Sequence, residues 1–468
     1  MQNDEKRKGF SGSIGFVLAA AGSAVGLGNI WRFPYLAAKN GGGLFLVVYI
    51  VLALTFGFTL LTTEIAIGRK TKQSPLTAYK HLSKKWSFLG VIACLVPMII
   101  FPYYCVIGGW VIKYFVAFLT GDGKAAAQDG YFTGFITADV EPMIMLAIFL
   151  AVTAFVIFRG VNNGIEAASK VIMPILLLLV IAISIFSLTI EHTDAATGVT
   201  RTGLEGFKVY LIPDLDGITL KSFFGIVMDA MGQLFYSLSV AMGIMIAYGS
   251  YVKDDADLKK SVNQIEIFDT AVAFLAGVMI IPAVFAFQGK EGLSASGPSP
   301  MFVSLPKVFE AMGPIGDVVG CLFFAMVFFA ALTSSISIME AVVSSLMDKF
   351  GMSRIKAAAI EGVIGLVAGL VVCLGYNKLY FELKLPNGAV GQILDVMDYV
   401  SNNIMMPIVA IGTCILIGWI LKPKFIIDEV EKSGTKFGRR ALFIGMIKVV
   451  APLLLLVLLL MGLGIVKF

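Results

Sequence analysis

Charge and histidine are scarce. Only 14% of the 468 residues are charged, and histidine occurs twice, at His81 and His192. So little charge cannot cover a soluble core of this size. The two histidines fall in connectors between apolar runs, on opposite faces, and no GxSxG elbow is present, which argues against an intramembrane hydrolase with a nucleophile and its base. The five cysteines, Cys94, Cys105, Cys321, Cys373 and Cys414, stand in apolar stretches without CxxC spacing or paired histidines. They read as buried thiols, not as disulfides or metal ligands. No GxxxxGK[ST] occurs, so nothing points to nucleotide hydrolysis, and Gly41-Gly42-Gly43 reads as a short connector. The net charge of +5 is spread over connectors, a topological signal and not a nucleic-acid surface.

Apolar residues are in excess: 58% of the chain, with a mean hydropathy of +0.89 and 49 glycines. Runs of about 20 apolar residues, long enough to cross a hydrocarbon core, fall at 12–37, 42–68, 88–119, 141–159, 168–190, 221–250, 263–287, 316–347, 355–376, 391–421 and 441–466. Eleven spans predict an all-α, multi-pass protein of the cell membrane, surrounded by lipid, with its termini on opposite sides. Lys6-Arg7-Lys8, Arg69-Lys70, Lys84-Lys85, Arg159, Lys253, Lys349 with Arg354, and Lys422 through Arg440 share one side under this count. The positive-inside rule makes that side, and the N-terminus, cytoplasmic and the C-terminus extracellular. Residues 120–140 and 191–218 are then acidic external loops. Met1–Lys8 is polar and basic with no small-residue cleavage site after it, so the first span is expected to stay in the mature chain.

The first span carries Gly22-Ser23-Ala24-Val25-Gly26-Leu27-Gly28-Asn29-Ile30-Trp31-Arg32-Phe33-Pro34 near its middle. Lipid offers no partner to a freed N–H or C=O, so glycines, an amide and a guanidinium at that depth mean backbone buried in protein or lining a cavity. We read a broken helix at a binding site. Five spans later Gly232-Gln233-Leu234-Phe235-Tyr236-Ser237-Leu238-Ser239-Val240-Ala241-Met242-Gly243 repeats the pattern. Interrupted spans at matching positions of two halves are the mark of an inverted repeat with a transport site at the midplane. The repeats are expected at 11–190 and 219–421 of one transporter domain, 1–468, with 440–468 an accessory span.

These two runs, with Ala330-Ala331-Leu332-Thr333-Ser334-Ser335 and Asp395-Val396-Met397-Asp398 in the same order, resemble the neurotransmitter:sodium symporter family of LeuT-type transporters over nearly the whole chain. The resemblance implies a LeuT fold, with five plus five helices in inverted repeat and helices 1 and 6 broken. It also implies a sodium-coupled symporter that imports an amino acid by alternating access, as a monomer or homodimer. The first of two sodium ions would be held by the backbone of Ala24 and Ser237, the side chains of Asn29, Ser237 and Asp269, and the substrate carboxylate. The second would use Gly22, Val25 and Ala330 carbonyls with the Thr333 and Ser334 hydroxyls. A hard cation wants such oxygens. Isolated hydroxyls would more often bond back to their own helix or to a neighbouring one. Asp269 departs from the asparagine many members carry there, and a fixed carboxylate compensates sodium charge without chloride; its other reading is a pair with a neighbouring donor.

By the same resemblance the substrate carboxylate lies on Gly26, Leu27 and Gly28, where half-helix N–H groups face an anion, and takes the Tyr104 hydroxyl. The ammonium meets carbonyls near Ala24, Tyr236 and Ser239. Gly26 stands where amine carriers place an aspartate, which favours an amino acid. Ile100, Tyr104, Tyr236, Ala241, Met242, Gly243, Ser334 and Ile338 would border a side-chain pocket without formal charge, suited to a neutral, mostly apolar guest. Ala241 narrows it, Met242 is flexible, and alanine-like, branched and aromatic guests stay open. Arg32 and Asp398 resemble the extracellular gate, assisted by Gln233. Arg7 and Asp348, braced by Tyr251 and Glu340, resemble the intracellular one, with Phe10 in place of the family's tryptophan. Two charges crossing 100 mV supply roughly 4.6 kcal/mol, about three decades of accumulation. A substrate-gated channel or a receptor-like sensor of the same fold is the alternative, since binding and conduction share broken helices.

Overall fold

A computed structural model describes residues 9–194, 198–293 and 300–467. The first apolar run is two helices, α1 (Ser13–Ala24) and α2 (Gly28–Lys39), bent by 54°. The backbone leaves helical geometry at Val25 (φ −76, ψ 86) and resumes in a π-helical turn, Gly28–Arg32, ahead of Pro34. Then follow α3 (Gly43–Thr71), α4 (Lys84–Leu119), α5 (Glu141–Phe158) and α6 (Val161–Leu188). The second half opens with α7 (Leu220–Ser237) and α8 (Ile244–Ser250), and continues through α9 (Leu258–Gly292), α10 (Gly313–Phe350), α11 (Arg354–Leu374), α12 (Ile393–Ile420) and α13 (Arg440–Gly462).

Among the described residues nine helices are long and apolar enough to cross a membrane, and the bent α1–α2 pair makes ten. The sequence expectation was eleven. The eleventh, 221–250, is the span expected to be broken: six non-helical residues divide it into α7, carrying Lys221, Asp229 and Gln233, and α8, of only 7 residues, so neither piece is counted as a crossing by itself. In that break Ser239 (φ 54) and Ala241 (φ 62) adopt left-handed backbone. Each such residue costs about 1–3 kcal/mol and persists only where its surroundings hold it.

The long helices α4 and α10 form the spine, and α1 packs on α9 and α10 while α7 and α8 pack on α3. Both breaks are thereby enclosed in protein. Outside the bundle, Glu191–Thr193 pairs with Thr200–Thr202 and Leu383–Lys384 with Val390–Gly391, two short antiparallel hairpins in the loops. The helix Gly203–Leu211, capped by Thr202 and Glu205, lies on α9, with the Tyr210 hydroxyl donating to the Phe274 carbonyl at 3.1 Å. The glycine connector at 41–43 lets backbone meet backbone: Gly41 (φ 78) and Gly42 (φ 55) are left-handed, and a Cβ on Gly43 would sit 2.1 Å from the Leu211 carbonyl oxygen.

Candidate functional site

The two breaks face each other across a cavity. Ser23, Ala24, Gly26, Leu27, Gly28 and Asn29 line it from the first break, and Tyr236, Ser237, Ser239 and Met242 from the second. Ile100 and Tyr104 of α4 and Ser334 and Ile338 of α10 complete the wall. Its free space is about 20 Å³, room for about one water. The Tyr104 hydroxyl is buried there with no hydrogen-bond partner among the described residues, a donor aimed at a guest. A Cβ on Gly26 would lie 2.8 Å from Ser334 Oγ and 3.3 Å from the Tyr104 hydroxyl, so glycine is what keeps this wall clear. Two expected lining residues face elsewhere: the Ala241 N–H donates to Glu64 Oε1 at 2.6 Å, and Gly243 abuts Pro75 and Ala93. Neither borders the cavity.

The residues expected to hold the first sodium converge at the cavity edge. Asp269, fully buried, accepts from Ser237 Oγ at 2.5 Å, Asn29 Nδ2 at 2.8 Å and the Tyr49 hydroxyl at 3.2 Å. Asn29 Oδ1 in turn accepts from Ser237 Oγ at 3.1 Å and the Gly26 N–H at 3.3 Å. Among the described residues all of Asp269's hydrogen-bond partners are neutral. A buried carboxylate held by neutral donors alone is uncompensated, and a cation beside it is the natural remedy.

For the second set, Ser334 Oγ donates to the carbonyls of Ser23 at 3.1 Å and Gly22 at 3.4 Å. Thr333 bonds back to Phe329 and Ala330 at 3.0 and 3.1 Å, and a Cβ on Gly22 would touch Thr333 at 3.2 Å. Gly22, Ala330, Thr333 and Ser334 are thus together, next to the point where the chain turns out of α1 at Val25. Ser239 ties the two breaks to each other, donating to the Ser23 carbonyl at 3.0 Å.

Beyond Tyr104 and Tyr236 opens a wider cavity of about 380 Å³, lined by Arg32 and Asp398 among others. Among the described residues these two make no ion pair: Asp398 accepts from Asn402 at 2.6 Å and Tyr103 at 3.1 Å. Gln233 donates inward, to the Gly28 carbonyl at 3.0 Å. At the other end Arg354 grips Glu340 with two bonds, 2.6 and 2.9 Å, and the Tyr251 hydroxyl adds a third at 2.6 Å. Phe10 packs edge-on against Tyr248 and Tyr251. Asp348 accepts from the Ser74 N–H at 2.7 Å, and Arg7 lies outside the described residues.

Sequence reasoning missed Glu64, Tyr49 and Arg354. An acid at membrane depth in 42–68 was the available signal for Glu64. Arg354 was counted only as a topological charge, and its reach to a residue 14 positions earlier is not visible in sequence spacing.

A profile described as the sodium:neurotransmitter symporter family matches residues 7–126 and 134–468. The chain belongs to this family. Among symporter-like relatives, the sodium-dependent transporter YhdH of Bacillus subtilis is 31% identical over 473 residues, covering 100% of both chains. The human sodium- and chloride-dependent GABA transporter 2 is 25% identical, over 91% of this chain and 75% of that one. The crystal structure of MhsT in complex with L-phenylalanine superposes with a TM-score of 0.83 at 33% identity, over 97% of this chain and 100% of that one. The protein is therefore a multi-pass sodium-dependent transporter of the LeuT fold and not an enzyme.

Proposed function

We propose that this symporter imports a neutral, mostly apolar L-amino acid with two sodium ions and without chloride, by alternating access. The observation that carries the reading is Asp269, fully buried at the cavity edge and held, among the described residues, by Asn29, Ser237 and Tyr49 alone. Sodium at Ala24, Asn29, Ser237 and Asp269 would neutralise that carboxylate, and the second ion would take Gly22, Val25, Ala330, Thr333 and Ser334. The substrate carboxylate would meet the first ion, the N–H groups at Gly26–Gly28 and the idle Tyr104 hydroxyl.

Three sides of the cavity are apolar or aromatic, through Ile100, Ile338, Met242 and the two tyrosines. L-phenylalanine sits in the MhsT complex, and an aromatic guest suits this wall. The free space is far below the volume of any amino acid, so binding must swing Met242 or part the breaks. The N-terminus is placed in the cytoplasm and the C-terminus outside. Support comes from Lys253, whose ammonium reaches the Ser11 carbonyl at 3.1 Å, and from Lys72 and Lys432, which share Asp254. Three basic connectors thus meet at one end of the bundle, as the positive-inside count requires. The repeats at 11–190 and 219–421, with 440–468 as an accessory, follow from the matched breaks.

The test is thermal unfolding of the purified protein with each of the twenty amino acids, in sodium chloride, sodium gluconate and choline chloride. Stabilisation by a neutral amino acid in both sodium salts and not in choline is the expected result. A shift that vanishes in gluconate would refute the role given to Asp269. A shift that ignores sodium, or none at all, would overturn the coupled site. Asp269→Asn should raise the sodium needed for half-maximal stabilisation by roughly 10-fold or more.

A further inference from the structure

Glu361 lies inside the bundle in α11, and neither transport nor gating as described above uses it. It is 0% exposed, and neither carboxyl oxygen has a hydrogen-bond partner among the described residues. An ionised carboxylate so placed would face a desolvation cost of several kcal/mol with nothing to offset it. The side chain is stable there only as the neutral acid, so the fold holds a proton at this position.

Among the described residues its surroundings offer no buried counter-charge, since Arg159 at the end of α5 and Lys356 on α11 are exposed. On α4 the groups within electrostatic reach are the thiols of Cys94 and Cys105. On α5 the one titratable residue is Glu141, at the far end and paired with Lys113. On α10, Glu340 is engaged by Arg354, Asp348 takes the Ser74 N–H, Lys349 lies near the helix end, and Asp317 and Cys321 lie near its start. The start of α12, with Asp395 and Asp398, meets α11 near Gly375, at its opposite end. On α11 itself Arg354 stands seven positions before Glu361, two turns away on the same helix face. Its guanidinium closes the inner end of the molecule on Glu340.

We propose that Glu361 is a proton-binding site, loaded while the Glu340–Arg354 closure stands and emptied into the adjoining water when that closure opens. On opening, the acid O–H bond breaks, water takes the proton and passes it to buffer, and a carboxylate remains. Arg354, released from Glu340, is the cation on the same helix face that receives this carboxylate. Closure reverses the transfer. Opening of the inner end then releases one proton and is favoured by alkaline pH, by up to about tenfold per pH unit.

The experiment combines infrared spectroscopy with alkylation of Cys94, followed by mass spectrometry over a pH series, on the full-length protein and its E361Q and E361D variants. The wild type should show at neutral pH a protonated-carboxyl band that E361Q lacks. Its Cys94 alkylation should accelerate with pH, E361Q should react at a pH-independent rate once thiol ionisation is subtracted with a free-thiol standard, and E361D should regain the dependence. Identical carboxyl bands in wild type and E361Q, or an unchanged pH dependence in E361Q, would overturn the proposal. Should E361Q fail to fold, absence of the band from the wild type, or an E361D band that does not shift, would do the same.

Discussion

At one end of the central cavity Arg32 and Asp398 line a space of about 380 Å³ and, among the described residues, make no ion pair. At the other, Glu340 is fully buried and takes bonds from Arg354 and Tyr251, all at 2.9 Å or less. The inner end is fastened again at its margins. Glu166 accepts from the Ser11 N–H at 2.8 Å and from its hydroxyl, and pairs with Lys170. Arg69, with no exposed surface, pairs with Glu429 and donates to the Ala256 carbonyl. The contrast teaches what a gate is made of in this molecule. The outer pair lines a cavity and is left apart, so its closing can be governed by a guest. The inner group is desolvated and multiply bonded, so opening it must break those bonds and hydrate the carboxylate.

The largest effect should come from breaking the inner fastening. Arg354→Ala leaves the Glu340 carboxylate buried without its cation, a change of roughly 3–5 kcal/mol against the closed inner end. A population shift of that size is enough to invert which end stands open. Alkylation of Ser337→Cys, at a buried position of α10 where Ser337 takes a bond from the Tyr248 hydroxyl beside Phe10, should become fast in the Arg354→Ala background. If it stays as slow as in the parent, the closure rests on Phe10 and its aromatic neighbours instead of on the ion pair.

A smaller effect is expected at the outer end. Arg32 is exposed and makes no ion pair among the described residues, so Arg32→Ala should change the unfolding temperature little, corresponding to less than about 1 kcal/mol, while weakening substrate retention several-fold in an uptake assay. A loss of stability as large as that of Arg354→Ala would mean that the two ends are built alike, and the comparison would fail.

This asymmetry was only half legible in the sequence. Both breaks were, because glycine, amide and hydroxyl residues at membrane depth have no other physical reading. Asn29, Ser237 and Asp269 were named from the family pattern, and their side chains are joined by hydrogen bonds. What periodicity could not supply is where strained backbone points its Cβ. Ala241 lies in the second break yet does not line the cavity, and its N–H is taken by Glu64. Nor could it supply the partner of Arg354, since a charge near a helix start satisfies the positive-inside rule equally well whether it faces solvent or a buried acid. The break in 221–250 was legible from its polar and small residues, but not the left-handed backbone of Ser239 and Ala241 that makes it.

The smallest effect is expected where the inner end is fastened at the surface. Asp254, in the connector after α8, bonds Lys432 at 2.7 Å and Lys72 at 2.8 Å. Hydrogen bonds from Lys432, then Lys72, hold its carboxyl down to about 2, below the usual value of about 3.9. A depressed folded value means that the stabilisation is complete above the unfolded value and is lost as pH falls through the folded one. Because the side chain is 53% exposed, solvent screens the pair, and Asp254→Asn should cost less than about 1 kcal/mol at neutral pH. Thermal unfolding of wild type and variant should therefore differ slightly and constantly above about pH 4 and converge toward pH ~2. A gap that rivals the Arg354→Ala effect at neutral pH would move the strength of the inner closure from its buried centre to its wet rim.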